Sequence, residues 1–426
     1  MLSKIRNSLT AFFPYLAKRD ILKKTTDYYL NSPDFNGLPV RSFPDSAKTI
    51  KKLILAEKID LVRGDGHPNP HIKALPPDTV EQQIQKIEAN GLGEGCIYPT
   101  SQHLKNVVNT SDYPDEPFKL DIALGKPVLS HAAFDIRSLE YYLNDPRYHY
   151  EVSDSHGCIY LKDEVGGKIS SHDDILLDRI GFCFLENRSR AIAVFYWDLL
   201  KLNREQQKLW KSRQIDEASR LHPAYFRTSI IGDFYEGCSI FRAVVYEIGF
   251  INELCNLINF RPMFKETFEE SKYPKKFHFL IRPTESAYQD FVSLLDKILS
   301  ENINPKLFAK DSMKKVGYTE NGEKVTQMKG TLTALQEWLG EIYNFEDKNA
   351  PREILQSFRD VRKQRQKPAH KISLDEYDQK YFGMQADLLQ DVWNSLSTIR
   401  SILAMHPKCQ NFELPSWYDE EKIWLP

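Results

Sequence analysis

The stretch "APREILQSFRDVRKQRQKPAH", residues 350–370, decides how the C-terminal part of the chain folds. Ile354, Phe358 and Val361 recur in steps of four and three, which is the spacing of the inward face of an amphipathic helix. The next inward position is Arg365, and an unpaired charge in a protein interior is strongly unfavourable. The arginine must therefore face a cleft, a subunit interface or a bound anion.

The end of this helix brings a histidine close to the arginine. Pro368 lacks an N–H and disfavours the helical conformation of Lys367, so the helix should end by residue 367. On an unbroken helix, positions 365 and 370 would point about 140° apart, at about 100° per residue. Ending the helix lets His370 turn back toward the side of Arg365.

The same segment carries a local excess of positive charge. Residues 351–371 contain seven Lys or Arg side chains and two acidic ones, which gives about +5. Lys and Arg bind phosphates, and a histidine with a pKa near neutrality can transfer protons. The segment therefore suits a polyanionic substrate.

The sequence around this helix predicts a helical bundle. Two further amphipathic helices are "ESAYQDFVSLLDKILSE" and "TLTALQEWLGEIY", and a long one runs near 376–405. Four such helices favour a bundle over residues 284–407, with only helices beyond a domain boundary near 268–284. Residues 408–426 are predicted to form an irregular aromatic tail.

Residues 1–270 are predicted to form a mixed region, which makes the fold class α+β. The segments "YHYEVSDSHGCIYL", "ILLDRIGFCFLE" and "RAIAVFYWDLL" are rich in β-branched and aromatic residues and predict an antiparallel β-meander. "DTVEQQIQKIEANG" predicts a helix that begins at Asp78 or Thr79 and stops at Gly91. A well-buried helix is expected within "CSIFRAVVYEIGFINELCNLI".

Composition gives the broad class of protein. A chain of 426 residues with 41% hydrophobic residues and a net charge of −2 is typical of a soluble protein of two or three domains. The six cysteines are scattered without a C-x-x-C pair, which argues against a zinc ribbon or a disulfide framework and favours the cytoplasm. No apolar run has the length of a membrane span. Residues 1–20 resemble a weak signal peptide, but Pro14 interrupts the apolar part, so export is not expected.

The motif "RQKPAH", residues 365–370, resembles the R-x4-6-H motif of the HEPN superfamily of helical-bundle proteins. Many members are metal-independent ribonucleases of toxin, abortive-infection and antiphage defence systems. The resemblance covers residues 284–407 and implies a homodimer in which two bundles line one cleft. It implies that the ribose 2′-OH of an RNA substrate, with tRNA as one candidate, attacks the adjacent phosphate, and that no metal or cofactor takes part.

The resemblance also assigns roles to residues. His370 would act as general base or acid, and Arg365 would stabilise the charge that develops on the phosphate. The substrate-binding residues would be Arg359, Arg362, Lys363, Gln366 and Lys367. Active members usually carry Asn, Asp or His directly after the arginine, where this chain has Gln366.

Two functions remain open at this point. The first is an endoribonuclease whose N-terminal region senses a trigger or restrains the bundle, with an antidote protein as a further partner. The second is a non-catalytic bundle for dimerisation or for binding RNA or a nucleotide, with Gln366 as a sign of lost activity. For Arg365 and His370, the structural alternative is a salt bridge at a dimer interface, or cations that stabilise a helix C-terminus.

Other candidate residues have simpler interpretations. His67 and His71 have metal-ligand spacing, but the prolines of "HPNPH" favour a surface turn. Asp173, Asp174 and Asp178 favour a solvated loop at the start of a strand, because no Glu-x-Lys follows on the next strand.

Aromatic residues of the N-terminal region offer a further possibility. The Tyr141–Tyr142 pair and Trp197 could stack on RNA bases, although core packing is the favoured interpretation. The sequence contains no Gly-rich phosphate loop and no G-x-S-x-G motif, which disfavours ATPases and serine hydrolases.

Overall fold

The structure is a computed structural model of the chain. It describes residues 21–426 except 66–68, 166–168, 234–236, 269–271, 310–312, 319–323, 367–374, 416–417, 419–421 and 425–426. Two candidate residues, Lys367 and His370, lie outside the described residues, as do His67 and the segment 1–20.

Helices and strands are distributed along the whole of the described chain. The helices are α1 (Ile21–Asn31), α2 (Ala47–Leu55), α3 (Val80–Asn90), α4 (Ser101–Val107), α5 (Pro117–Ala123), α6 (Ser138–Asn144), α7 (Tyr196–Leu199), α8 (Arg204–Lys211), α9 (Pro223–Phe226), α10 (Ile240–Leu257), α11 (Glu285–Ile298), α12 (Thr331–Ile342), α13 (Ala350–Ile354), α14 (Gln356–Gln366) and α15 (Lys380–Ala404). The strands are β1 (Leu38–Pro39), β2 (Ile59–Arg63), β3 (Gly95–Pro99), β4 (His131–Phe134), β5 (Tyr148–Val152), β6 (His156–Leu161), β7 (Leu176–Leu185), β8 (Arg190–Phe195), β9 (Gln214–Ile215), β10 (Ser219–Leu221), β11 (Cys238–Ser239), β12 (Lys314–Tyr318), β13 (Lys324–Met328) and β14 (Ile423–Trp424). The predicted α+β class is confirmed.

The chain divides into two compact units. The first unit comprises Met1–Asp135 and Ile159–Arg220, and the second comprises Ile136–Cys158 and Leu221–Pro426. This division differs from the predicted boundary near 268–284, because α10 packs along α15 and so lies with the C-terminal helices. No helix among the described residues combines the length and the apolar character needed to cross a membrane.

The first unit is built around antiparallel sheets. Strands β1, β3 and β2 form one sheet in that order, and β7, β8, β4 and β9 are successive neighbours in another. The predicted strands over residues 148–195 are confirmed, and β7 pairs with β8 antiparallel as the meander requires. The predicted α3 is confirmed with Thr79 as its N-cap, in a capping box with Gln82, and with Gly91 at its end.

The second unit contains the predicted bundle helices. α11, α12, α14 and α15 are all present, and α13 precedes α14 with a break at Leu355. The expectation of helices alone is wrong, because β12 and β13 form an antiparallel hairpin between α11 and α12. Alternation in "KKVGY" and "KVTQM" and an intervening Asn-Gly pair are the sequence signals for that hairpin.

A buried ion pair joins the two long helices of the second unit. The Glu247 carboxylate of α10 accepts from the Arg400 Nε of α15 at 2.8 Å, and the exposed fractions of the two side chains are 0% and 8%. The same carboxylate accepts from the Tyr418 hydroxyl at 2.8 Å, and that hydroxyl accepts from the Trp393 Nε1 at 3.0 Å. The charges are thus embedded in hydrogen bonds, which is the condition for a stable buried pair.

Removal of one partner of this pair should destabilise the fold. We expect Arg400→Met to lower the free energy of unfolding by about 3–5 kcal/mol, because it leaves the buried Glu247 carboxylate without a cation. Urea denaturation followed by circular dichroism measures this loss. The double variant Glu247→Gln/Arg400→Met should recover part of the stability. A double variant as unstable as the sum of both single variants would contradict a direct coupling.

Candidate functional site

Helix α14 is held in place by a short apolar stripe. Phe358 and Val361 are fully buried, and α14 packs against α11 and α15. On the same side, the hydroxyls of Ser357 and Ser395 share a hydrogen bond of 2.7 Å. The step of three from Phe358 to Val361 therefore lies on the buried face of this helix, whereas Ile354, four residues before Phe358, belongs to α13 and is half-buried.

Arg365 continues toward α11 and meets two carboxylates there. Its Nη1 donates to Asp296 Oδ2 at 2.6 Å and also to the Glu301 carboxylate. The Asp296 side chain is fully buried, whereas 36% of the Arg365 side chain is exposed. Hydrogen bonds to the two carboxylates raise the pKa of the Arg365 guanidinium above its ordinary value. The anion that the inward arginine requires is thus supplied within the chain.

Because Asp296 is buried, Arg365 has a structural role as the partner of its carboxylate. Asp296 Oδ1 is buried and has no hydrogen-bond partner among the described residues, so Arg365 is the cation that compensates this carboxylate. A second contact lies one residue earlier, where the Tyr288 hydroxyl donates to Gln364 Oε1 at 2.7 Å. Both contacts hold the C-terminal end of α14 against α11.

The predicted substrate-binding residues of α14 share one face. At about 100° per residue, Arg359, Arg362, Lys363 and Gln366 fall within a sector about 100° wide. Lys363 and Gln366 are exposed, and Arg362 is half-buried. Within the described part of the chain, the side chains of Arg362 and Lys363 form no hydrogen bond and no ion pair. These groups remain available to a ligand.

Arg359 is less available than the other members of this face. Its Nη2 donates to Gln336 Oε1 of α12 at 2.6 Å, and its Nε is buried without an acceptor among the described residues. Arg359 therefore ties α14 to α12.

The carboxylates also change the local charge that the sequence suggests. The excess of about +5 over residues 351–371 falls to about +3 when Asp296 and Glu301 are included. Charge that is available to a phosphate chain thus concentrates on Arg362, one helical turn before the ion-paired Arg365, and on Lys363, about 160° from Arg365 around the helix.

Asp296 and Glu301 were missed in the sequence interpretation, although a signal exists for Asp296. It follows Tyr288 and Val292 in steps of four, so it occupies an inward position of an amphipathic helix. Arg365 occupies the same kind of position on its own helix. Two inward charges of opposite sign on neighbouring amphipathic helices predict a pair, because neither can be buried alone.

The other candidates lie in contacts that favour structural roles. The His71 Nδ1 lies 3.6 Å from the Cys96 Sγ in the first unit. Asp173 accepts a hydrogen bond from the Ser170 hydroxyl at 3.0 Å. Asp178 is exposed, and its Oδ2 lies 3.7 Å from the Lys201 Nζ. Asp173 is part of the loop that leads into β7, whereas Asp178 lies within β7 itself.

The aromatic candidates differ in exposure. Tyr142 is fully buried, in agreement with core packing, whereas Tyr141 and Trp197 each remain 39% exposed. Tyr142 and Tyr148 pack edge to face with ring centroids 5.1 Å apart. Stacking on a planar ligand is therefore open to Tyr141 and Trp197 and closed to Tyr142.

Comparisons of the chain with protein-family models, with curated proteins and with solved structures found no match. The resemblance of residues 284–407 to the HEPN superfamily therefore remains a prediction from the R-x4-6-H spacing and its helical context.

The role of Arg365 in stability can be measured directly. We expect Arg365→Ala to lower the free energy of unfolding by about 1–3 kcal/mol, less than for a fully buried pair, because the arginine is partly exposed. Chemical denaturation measures the loss, with the exposed Lys363→Ala as a control that should change stability by about 0.5 kcal/mol or less. The double variant Asp296→Asn/Arg365→Ala should be more stable than additivity predicts. Equal stability of Arg365→Ala and Lys363→Ala would contradict the pairing.

Proposed function

We propose that the chain is a metal-independent endoribonuclease of the cytoplasm whose site lies at the C-terminal end of α14, with Arg365 and His370 as catalytic residues. The observation that supports this proposal most is the position of Arg365. Its guanidinium is fixed at the end of a helix and partly exposed, and it lies one helical turn after Arg362, whose side chain has no partner among the described residues.

The ion pairs leave part of the guanidinium available. Both carboxylates accept from Nη1, and no described residue accepts from Nε or Nη2. An arginine presents its donors in a rigid fork that matches a phosphate. A guanidinium held from one side can therefore offer its other donors to a phosphate without losing conformational freedom on binding.

The proposed reaction is a transesterification within the RNA. The 2′ oxygen forms a bond to the adjacent phosphorus while the bond from phosphorus to the 5′ oxygen breaks. The products are a 2′,3′-cyclic phosphate and a 5′-OH. His370 of one copy accepts the proton of the 2′-OH, and His370 of a second copy in the dimer gives a proton to the leaving oxygen. Arg365 stabilises the negative charge on the phosphate oxygens.

In this proposal the N-terminal region regulates the nuclease. A ribonuclease that acts on cellular RNA must be held inactive until it is needed, and the N-terminal region would sense the trigger or restrain the site. Defence against phage, with tRNA as one target and an antidote protein as a further partner, is the context that the HEPN resemblance favours. Fold-level analogy is the support for this part.

A second candidate is a non-catalytic module that binds RNA or joins two copies of the chain. The double ion pair of Arg365 favours it, because a cation committed to Asp296 and Glu301 has a sufficient structural role. Gln366 in place of the usual Asn, Asp or His favours it as well. The two candidates differ in one measurable respect, which is cleavage.

Cleavage should depend on His370. We expect purified wild-type protein to cut RNA in the presence of EDTA and to leave cyclic phosphate ends. His370→Ala should lower the rate by about 10²–10⁴-fold, the usual contribution of a general acid or base. The control is His172→Ala, which removes an exposed histidine of the first unit. Induced expression of the wild type should slow growth, and induced expression of His370→Ala should slow it less. Equal cleavage by wild type and His370→Ala would reject the catalytic assignment.

Substrate binding should depend on Arg362 and Lys363. We expect Arg362→Gln and Lys363→Gln each to reduce the slope of log affinity against log salt by about 0.7 for single-stranded RNA, the value for one lost phosphate contact. Filter binding at several salt concentrations measures the slope, with the exposed Lys348→Gln as control. RNA binding of this kind without cleavage would select the non-catalytic module. An unchanged slope in both variants would exclude this face of α14 as the RNA-binding surface.

A further inference from the structure

A cavity of about 260 Å³ lies in the first unit, and no residue of α11 or α14 is in its lining. Its lining includes two ammonium groups, side-chain amides and an exposed indole, contributed by Asn36, Lys73, Lys126 and Trp197 among others. Charged groups and hydrogen-bonding groups around a concave space are typical of a small-molecule site.

Lys73 lies in this lining without a carboxylate partner. Its Nζ donates to the Gly125 carbonyl oxygen at 3.0 Å, and within the described ranges no carboxylate forms an ion pair with it. Partial burial lowers the pKa of the Lys73 ammonium, although the charge of Asp60 acts in the opposite direction. A partly desolvated cation of this kind gains most from an anion brought by a ligand.

The charged side chains of the lining give it a net positive charge. Lys126 is exposed at the cavity, with its Nζ 5.8 Å from the centroid of the Tyr196 ring. Asp34 is the carboxylate of the lining. Two ammonium groups against one carboxylate favour an anionic ligand.

Trp197 adds a planar surface. Its side chain is 39% exposed, and its backbone N–H donates to the Val128 carbonyl oxygen at 3.0 Å, which fixes the base of the side chain. A half-exposed indole in a lining that also holds cations suits a ligand that combines an aromatic ring with a negatively charged group. The amide of Asn36 offers both a donor and an acceptor, as recognition of a base edge requires.

One wall of the cavity has a strained backbone. Phe35 has a φ of 50°, a conformation that a bulky residue rarely adopts. Its ring packs on Tyr29 with centroids 5.4 Å apart. At the nearby Gly37 a Cβ atom would lie 2.4 Å from the Tyr98 ring, so this segment is packed against the sheet without spare room. Strain that packing maintains is characteristic of ligand sites.

We propose that this cavity binds a nucleoside monophosphate, with the phosphate between Lys73 and Lys126 and the base against Trp197. The volume is slightly below the usual range of roughly 300–1,000 Å³ for ligand pockets, which favours a mononucleotide over a larger ligand. This inference does not rest on the proposed ribonuclease activity.

Isothermal titration calorimetry with the full-length protein tests the site. The probes are AMP, GMP, CMP and UMP, each alone, together with inorganic phosphate and the four free nucleosides. We expect at least one monophosphate to bind at one site per chain and more tightly than phosphate or its own nucleoside. Lys126→Gln and Lys73→Met should each weaken it about tenfold or more, the effect of one charge-assisted hydrogen bond. Trp197→Leu should weaken the monophosphate about fivefold or more and leave phosphate binding unchanged.

The matched control is Lys105→Gln, an exposed lysine of the same unit outside the cavity lining, which should bind like wild type. Circular dichroism of each variant establishes that it is folded, and Lys126→Gln and Trp197→Leu carry the test if Lys73→Met does not fold. The proposal is overturned if none of the four monophosphates binds at millimolar concentration. It is overturned equally if phosphate alone binds as tightly as every monophosphate, or if Lys126→Gln and Trp197→Leu bind like wild type.

Discussion

A carboxylate buried between packed helices needs a cation, and for Asp296 that cation is Arg365. The pair determines how the C-terminal end of α14 lies against α11, and hence where the chain enters the segment that carries His370. Glu301 lies on the same guanidinium nitrogen and completes the contact. Every functional interpretation of the R-x4-6-H spacing has to start from this ion pair, because the arginine is not free to move toward a substrate alone.

A second ion pair in the same unit shows what a purely structural arrangement looks like. Arg400 and Glu247 are both buried, at 8% and 0% exposure. The Tyr418 hydroxyl donates a hydrogen bond to the other oxygen of the Glu247 carboxylate. Arg365 is different, because more than a third of its side chain remains exposed and its carboxylate contacts use Nη1 alone. A charge kept at the surface of a bundle, beside exposed basic residues, has chemical uses that a fully buried charge lacks.

Local periodicity made the C-terminal helices and the central antiparallel strands predictable. The helices from α10 to α15 and the strands from β5 to β8 have apolar patterns that a short window reveals, and the cap at Thr79 follows from nearest neighbours. The hairpin of β12 and β13 was missed because its short alternating segments lie between strong helical patterns. The domain division was not predictable in the same way, since it depends on how α10 packs along α15, and packing partners far apart in sequence leave no local pattern.

Of the Arg365 ion pairs, only the arginine could be predicted from the sequence. The inward position of Arg365 follows from the stripe, but its partners lie more than sixty residues earlier in the chain, beyond the reach of any helical period. This pairing limits how an anion can approach. A phosphate that displaced Asp296 would leave a buried carboxylate without a cation, at a cost of about 3–5 kcal/mol for a fully buried pair and less here. Approach from the side of Nε and Nη2 avoids that cost. A phosphate bound there would contact the fixed guanidinium, with Arg362 as the neighbouring basic residue of α14, and that contact is common to cleavage and to simple binding.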